Sequence, residues 1–95
     1  MIIGLDYDGT YTEDPEFWDS VVLMAQDTGH EVYVVTNRSG DEEDDDEVFD
    51  VPIPSSNVIF TAGKSKHDYM LANHALHIDV WIDNEPEWIK ENKID

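Results

Sequence analysis

Two carboxylates, Asp6 and Asp8, close the apolar run Met1-Ile2-Ile3-Gly4-Leu5 and are followed at once by Gly9 and Thr10. Such a pair can divide a phosphoryl transfer between its members. One carboxylate, with an oxygen on a divalent cation, attacks phosphorus in line and forms an acyl phosphate. The other protonates the departing alcohol and then deprotonates water, which asks for a pKa raised by acidic surroundings or partial burial. Both must face one substrate, and residues i and i+2 of an extended chain do face the same side. Ligands of open parallel sheets bind beyond the carboxyl ends of the strands, so the end of a first apolar strand is where this pair belongs.

Three further places carry residues of suitable type. Val34-Val35-Thr36-Asn37-Arg38 ends an apolar run in a hydroxyl, an amide and a guanidinium. Gly63-Lys64-Ser65-Lys66 holds two of only five basic residues. A lysine directed into an acidic pocket would screen its carboxylates, whereas a surface lysine at a helix N-terminus opposes the helix dipole. Val80-Trp81-Ile82-Asp83-Asn84-Glu85 ends in oxygens suited to magnesium, which accepts carboxylate, amide and water ligands. Gly63-Lys64-Ser65 is not a nucleotide P-loop, because the first glycine of that motif would fall on Val58. His74 and His77 have no convincingly spaced third partner for zinc, and with His67 they read as surface or packing residues.

Taken in chain order, these four elements resemble the motifs of the haloacid dehalogenase-like superfamily of phosphohydrolases, along nearly the whole chain. The resemblance implies Asp6 as nucleophile, Asp8 as general acid and base, and Thr36 as a hydrogen-bond donor to the transferring phosphoryl group. It also implies a lysine that neutralises charge around the nucleophile, and Asp83 as a ligand of Mg2+ together with Asp6 and Asp8. Lys66, at the start of a helix, fits that lysine better than Lys64. Gly9, Thr10, Asn37 and Lys64 are then candidate substrate contacts. Asn84 stands where a second aspartate is commoner and Glu85 is the next acid, so the rest of the metal shell lies open between them.

Many superfamily members carry a cap domain at one of two insertion points. Here those points hold only one helix with its lead-in and an acidic segment followed by Pro52 and Pro54, too short for a folded cap. The implied protein is a capless, Mg2+-dependent phosphomonoester hydrolase whose open site admits a bulky, even macromolecular, phosphorylated substrate. The competing reading is a catalytically weak or inactive interaction module that holds a basic protein partner through its acidic segment.

The elements that must position these residues are legible. Residues 2–6, 31–36, 57–61 and 79–83 read as strands, the second rich in β-branched residues and nearly continuous in hydrophobicity, as in a strand covered on both faces. Asp14-Pro15 starts a helix that Gly29 closes, with Phe17, Trp18, Val21, Val22 and Met24 or Ala25 turned inward. A second helix spans about 65–76 and a short one follows Pro86. The expected fold is α/β: a three-layer, Rossmann-like open parallel sheet of four strands in the order 3-2-1-4, as one domain over residues 1–95.

Composition sets the limits. The 95 residues include 23 acidic and 5 basic ones, a formal net charge of −18, which opposes long nucleic acid and anionic membranes and favours cations or basic proteins. No cysteine is present, which excludes thiolate chemistry and disulfides. The apolar start reaches Asp6 too soon for a signal peptide, so a soluble, cytoplasmic protein is expected. Asp41-Glu42-Glu43-Asp44-Asp45-Asp46-Glu47 reads as a solvated loop or frayed helix, without the glycine and closing glutamate of a calcium loop.

Overall fold

The computed structural model describes residues 1–93. Strands β1 (Ile2–Leu5), β2 (Glu31–Thr36), β3 (Val58–Phe60) and β4 (Val80–Ile82) form one all-parallel sheet in the order β3-β2-β1-β4. Leu5 pairs with Val34 on one side and Ile82 on the other, and Val34 pairs in turn with Val58. The strand order reverses at β1, so the crevice between the ends of β1 and β4 is where such a sheet accepts a ligand.

The two-residue period of the strands divides the core into two faces. Ile3 and Leu5, Val32 and Val34, Val58 and Phe60, and Ile82 face one side, where Trp18, Val22 and Ala25 of helix α1 (Pro15–Asp27) cover them. Ile2, Tyr33, Val35, Ile59 and Trp81 face the other, under Tyr69 and Met70 of helix α2 (Lys66–His74). The short helix α3 (Glu87–Lys90) packs on α2. Three layers result, as the near-continuous hydrophobicity of β2 requires.

Helix α1 begins as expected: Asp14 accepts from the Phe17 amide at 3.2 Å and proline holds the first turn. Its buried stripe is narrower than expected. Trp18, Val22 and Ala25 sit at i, i+4 and i+7, while Phe17 (54% exposed) and Met24 (68% exposed) lie one position off that stripe and face outward. Helix α2 is shorter than expected and stops at His74, where Ala75 turns into the left-handed region (φ 53°).

The acidic segment is ordered rather than loose. Residues Glu43–Asp50 form a 3-10 helix that drops Val48 into the core shared with Val34 and Val58, with Val51 just beyond it. Asp45 is buried, its carboxylate accepting the Glu42 amide at 3.0 Å, while the other acids of the run remain exposed. Among the described residues no helix is long and apolar enough to cross a membrane.

Candidate active site

The chain leaves β1 at Asp6, whose amide still donates to the Ile82 carbonyl at 2.9 Å, so Asp6 and Asp83 emerge side by side. Lys66 reaches between them. Its Nζ donates to Asp6 Oδ1 at 2.8 Å and to Asp83 Oδ2 at 2.5 Å, and the residue is only 1% exposed. Lys66 opens α2, and Ser65 before it holds the turn: the Ser65 hydroxyl donates to the Ile89 carbonyl, and its amide donates to Asn92. A lysine at a helix N-terminus gives up about 0.3–1 kcal/mol to the dipole. That is small beside a gross attraction of about 4 kcal/mol for each close carboxylate at an effective dielectric of 20. At Asp6, burial still prevails: desolvation holds its carboxyl above the ordinary range, Lys66 pulls it back, and Asp83 adds to the rise.

Thr36, at the end of β2, is buried and lines the same cavity of about 80 Å³ with Asp6, Lys66 and Asp83. Its hydroxyl oxygen accepts the Arg38 amide at 3.3 Å, which leaves the hydroxyl proton to donate. Asn37 is on the wall too, its Oδ1 taken by the Thr61 hydroxyl. Lys64 is exposed and lies outside this cavity, so of the two lysines only Lys66 meets the carboxylates.

Thr10 lies behind Asp6 rather than in front of it. Buried, it donates to Asp6 Oδ2 at 3.2 Å and accepts the Asn84 amide at 3.2 Å, which suits a positioning residue and not the substrate contact expected from sequence. Gly9 adopts φ +82°, and a Cβ there would sit 2.4 Å from the Asn84 side-chain amide. Gly9→Ala therefore meets backbone strain and a collision together. It is expected to lower stability by about 1–3 kcal/mol in urea denaturation and to displace Asn84 from the Asp6 loop.

Asp8 follows a different course from Asp6. Its side chain is half exposed, and both carboxylate oxygens are held by Arg38, Oδ2 by Nε and Oδ1 by Nη2, each at 2.8 Å. The same guanidinium donates to Glu47 Oε1 at 2.7 Å and to the Asp44 carbonyl at 2.9 Å, and it lies 5.1 Å from the centre of the Tyr7 ring. Asp8 foremost, then Glu47, hold it firmly protonated. Arg38 thus ties the acidic helix to the rim of the site, a role that sequence reasoning missed; the only signal was the rarity of basic residues.

The expected shell of three carboxylates, Asp6, Asp8 and Asp83, does not assemble, because Arg38 takes Asp8 and Lys66 takes Asp83. Among the described residues no three Asp, Glu or His side chains converge to hold a metal ion. A different set of polar groups does converge. One amide position of Asn84 lies 2.7 Å from Asp6 Oδ2 and 3.2 Å from the Asp8 carbonyl oxygen. With Nδ2 there the amide donates to both. With Oδ1 turned there instead, that oxygen stands 2.7 and 3.2 Å from the other two, against about 2.9 Å between adjacent ligands of Mg2+ for bonds of 2.0–2.1 Å at right angles. The residues fit that cation through Asp6, the Asp8 main chain and Asn84 once the Asn84 amide turns its oxygen inward from the hydrogen-bonded orientation, with Asp83 occupied in holding Lys66.

Comparison of the chain with protein-family models, with curated proteins and with solved structures finds no match.

Proposed function

We propose that this protein is a magnesium-dependent phosphomonoester hydrolase that works through an aspartyl phosphate on Asp6. The observation that carries this reading is the wholly buried Lys66 ammonium bridging Asp6 and Asp83 in a cavity that the Thr36 hydroxyl also lines. A cation at that depth screens the nucleophile and meets the charge of an incoming phosphoryl group.

An Asp6 carboxylate oxygen attacks phosphorus, the ester P–O bond breaks, and the leaving oxygen takes a proton from Asp8. Water then attacks the phosphoryl group and gives its proton to Asp8. The bond to Asp6 breaks, restoring the carboxylate and releasing inorganic phosphate. Thr36 donates to a phosphoryl oxygen, and Thr10 holds Asp6 in orientation. Magnesium at Asp6, the Asp8 carbonyl and Asn84 would supply positive charge against the phosphoryl oxygens. Asp8 must leave Arg38 to act, since both of its oxygens are engaged there.

That engagement also supports a second reading, a binding module whose acidic helix, anchored by Arg38, presents its exposed carboxylates to a basic partner. Turnover separates the two. The purified protein is expected to hydrolyse p-nitrophenyl phosphate or 4-carboxyphenyl phosphate with Mg2+ and to stop when EDTA is added; no turnover of either at any Mg2+ concentration sinks the hydrolase reading.

A further inference from the structure

Five basic residues serve a chain of net charge −18, and three of them, Arg38, Lys66 and Lys93, line two adjoining cavities. Lys66 belongs to the reaction site. Arg38 and Lys93 line the outer cavity, which also borders Asp8 and Asn37 and has a volume of about 360 Å³, within the range of small-molecule sites. Asp8, Asn37 and Lys93 are common to both cavities, so the outer one opens where the leaving group of a phosphate ester bound at Asp6 would emerge. Its floor is the turn at Ala62 and Gly63, pinned by the Ala62 amide on the Arg38 carbonyl and the Lys93 amide on the Gly63 carbonyl. Gly63 leaves room there: a Cβ would come within 3.3 Å of the Lys93 carbonyl.

The two cations are held differently. Arg38 is satisfied by carboxylates of the chain itself, Asp8 and Glu47, both about half exposed, with the buried Asp45 at 3.6 Å. Among the described residues the Lys93 ammonium has no ion-pair partner within 4.0 Å. Two of only five basic residues border this one mouth, a concentration of positive charge that favours an anion there. Glu47 on Arg38 has the form of a built-in stand-in for that anion.

We propose that the outer cavity is a subsite for a second anionic group, and that the substrate is a small phosphomonoester whose leaving group carries a carboxylate or a further phosphate. This rests on the hydrolase reading above. The second anion sits between Arg38 and Lys93 and takes the guanidinium from Glu47 and Asp8, which frees Asp8 to protonate the leaving oxygen. The substrate's own charge thereby completes the site, and an ester with a neutral leaving group loses kcat as well as affinity.

Binding is measured by calorimetry in Mg2+ buffer with three phosphonates that cannot be hydrolysed: 4-carboxyphenylphosphonate, its neutral 4-carbamoyl analogue and benzene-1,4-diphosphonate. At least one of the two doubly anionic probes is expected to bind about tenfold or more tighter than the carbamoyl compound, as a charge-assisted contact allows. Whichever binds tighter identifies carboxylate or phosphate as the preferred group. The preference is expected to fall to near unity in Lys93→Met and in Arg38→Gln; should Arg38→Gln lose its fold by circular dichroism, Lys93→Met decides alone. Equal binding of all three probes, no binding, or a preference that survives Lys93→Met overturns the subsite. In parallel, 4-carboxyphenyl and 4-carbamoylphenyl phosphate are assayed for turnover. A binding preference without turnover refutes the hydrolase reading and leaves the anion subsite standing, whereas turnover without preference does the reverse.

Discussion

Replacing Asp6 by asparagine is expected to lower kcat by about 10⁴-fold or more, the scale on which removal of a covalent nucleophile acts. The fold is expected to survive. The amide matches the carboxylate in shape, can still accept from Lys66 through its oxygen, and leaves Lys66 its shorter partner, Asp83. Stability supplies an independent check. Burial raises the Asp6 pKa, so the folded protein disfavours the ionised form. A carboxyl with a raised folded pKa contributes stability below its unfolded value of 3.8 and loses that contribution as pH rises through the folded value. At pH 7 the wild type therefore carries the cost of a buried charge that the amide does not. Asp6→Asn is expected to melt no lower than wild type at pH 7 and to lose any advantage as the pH falls through the Asp6 pKa. Undiminished magnesium-dependent turnover in Asp6→Asn would place the chemistry elsewhere.

Lys66→Met is expected to have the largest effect on stability. The methionine nearly fills the space, but Asp6 and Asp83 then face each other without a cation, in a site where their side chains are 9% and 2% exposed. Breaking a buried ion pair from one side typically costs about 3–5 kcal/mol, out of the 5–15 kcal/mol that holds a domain together. Part of this loss is expected to be recovered in acid. Without Lys66 the influence that lowers the Asp6 pKa is gone while desolvation and Asp83 remain, so Asp6 protonates at a higher pH than in wild type. The variant should accordingly gain stability, relative to wild type, as the pH is lowered from 7 toward 5. Urea unfolding across that range measures it; a loss below 1 kcal/mol with no pH dependence would mean the bridge carries little. Turnover should fall by about 10²–10³, as for loss of one preorganised charge-stabilising donor.

Most of the architecture is legible because its causes are local. The apolar runs place all four strands to within a residue or so of their ends. Asp79, expected inside β4, instead closes its start by accepting the Ile2 amide and donating its own amide to the Ile2 carbonyl. Asp14-Pro15 and Gly29 mark the ends of α1 because a side-chain cap, a fixed proline φ and a positive glycine φ act within one turn. The inward face of α1 was less legible: its apolar residues outnumber the positions that the sheet can cover, so Phe17 and Met24 stay outside. In the sequence the acid run shows only its charge, whereas Val48, one residue beyond it, decides that the segment packs.

Acting through local periods and caps, the sequence by itself determined four strands, their helices and the presence of Asp6, Thr36 and Asp83 at strand ends. Only the tertiary structure decided which side chains meet there. Lys66 comes to Asp6 from 60 residues away, Arg38 to Asp8 from 30, and Asn84 to Thr10 from 74. Lys64 and Lys66 differ little in local context, and the choice between them follows from where Ser65 is pinned on Ile89 and Asn92. That both oxygens of Asp8 are held by Arg38 likewise depends on a guanidinium delivered from the end of another strand. Such meetings follow from strand order and layer packing, and no period along the chain encodes them.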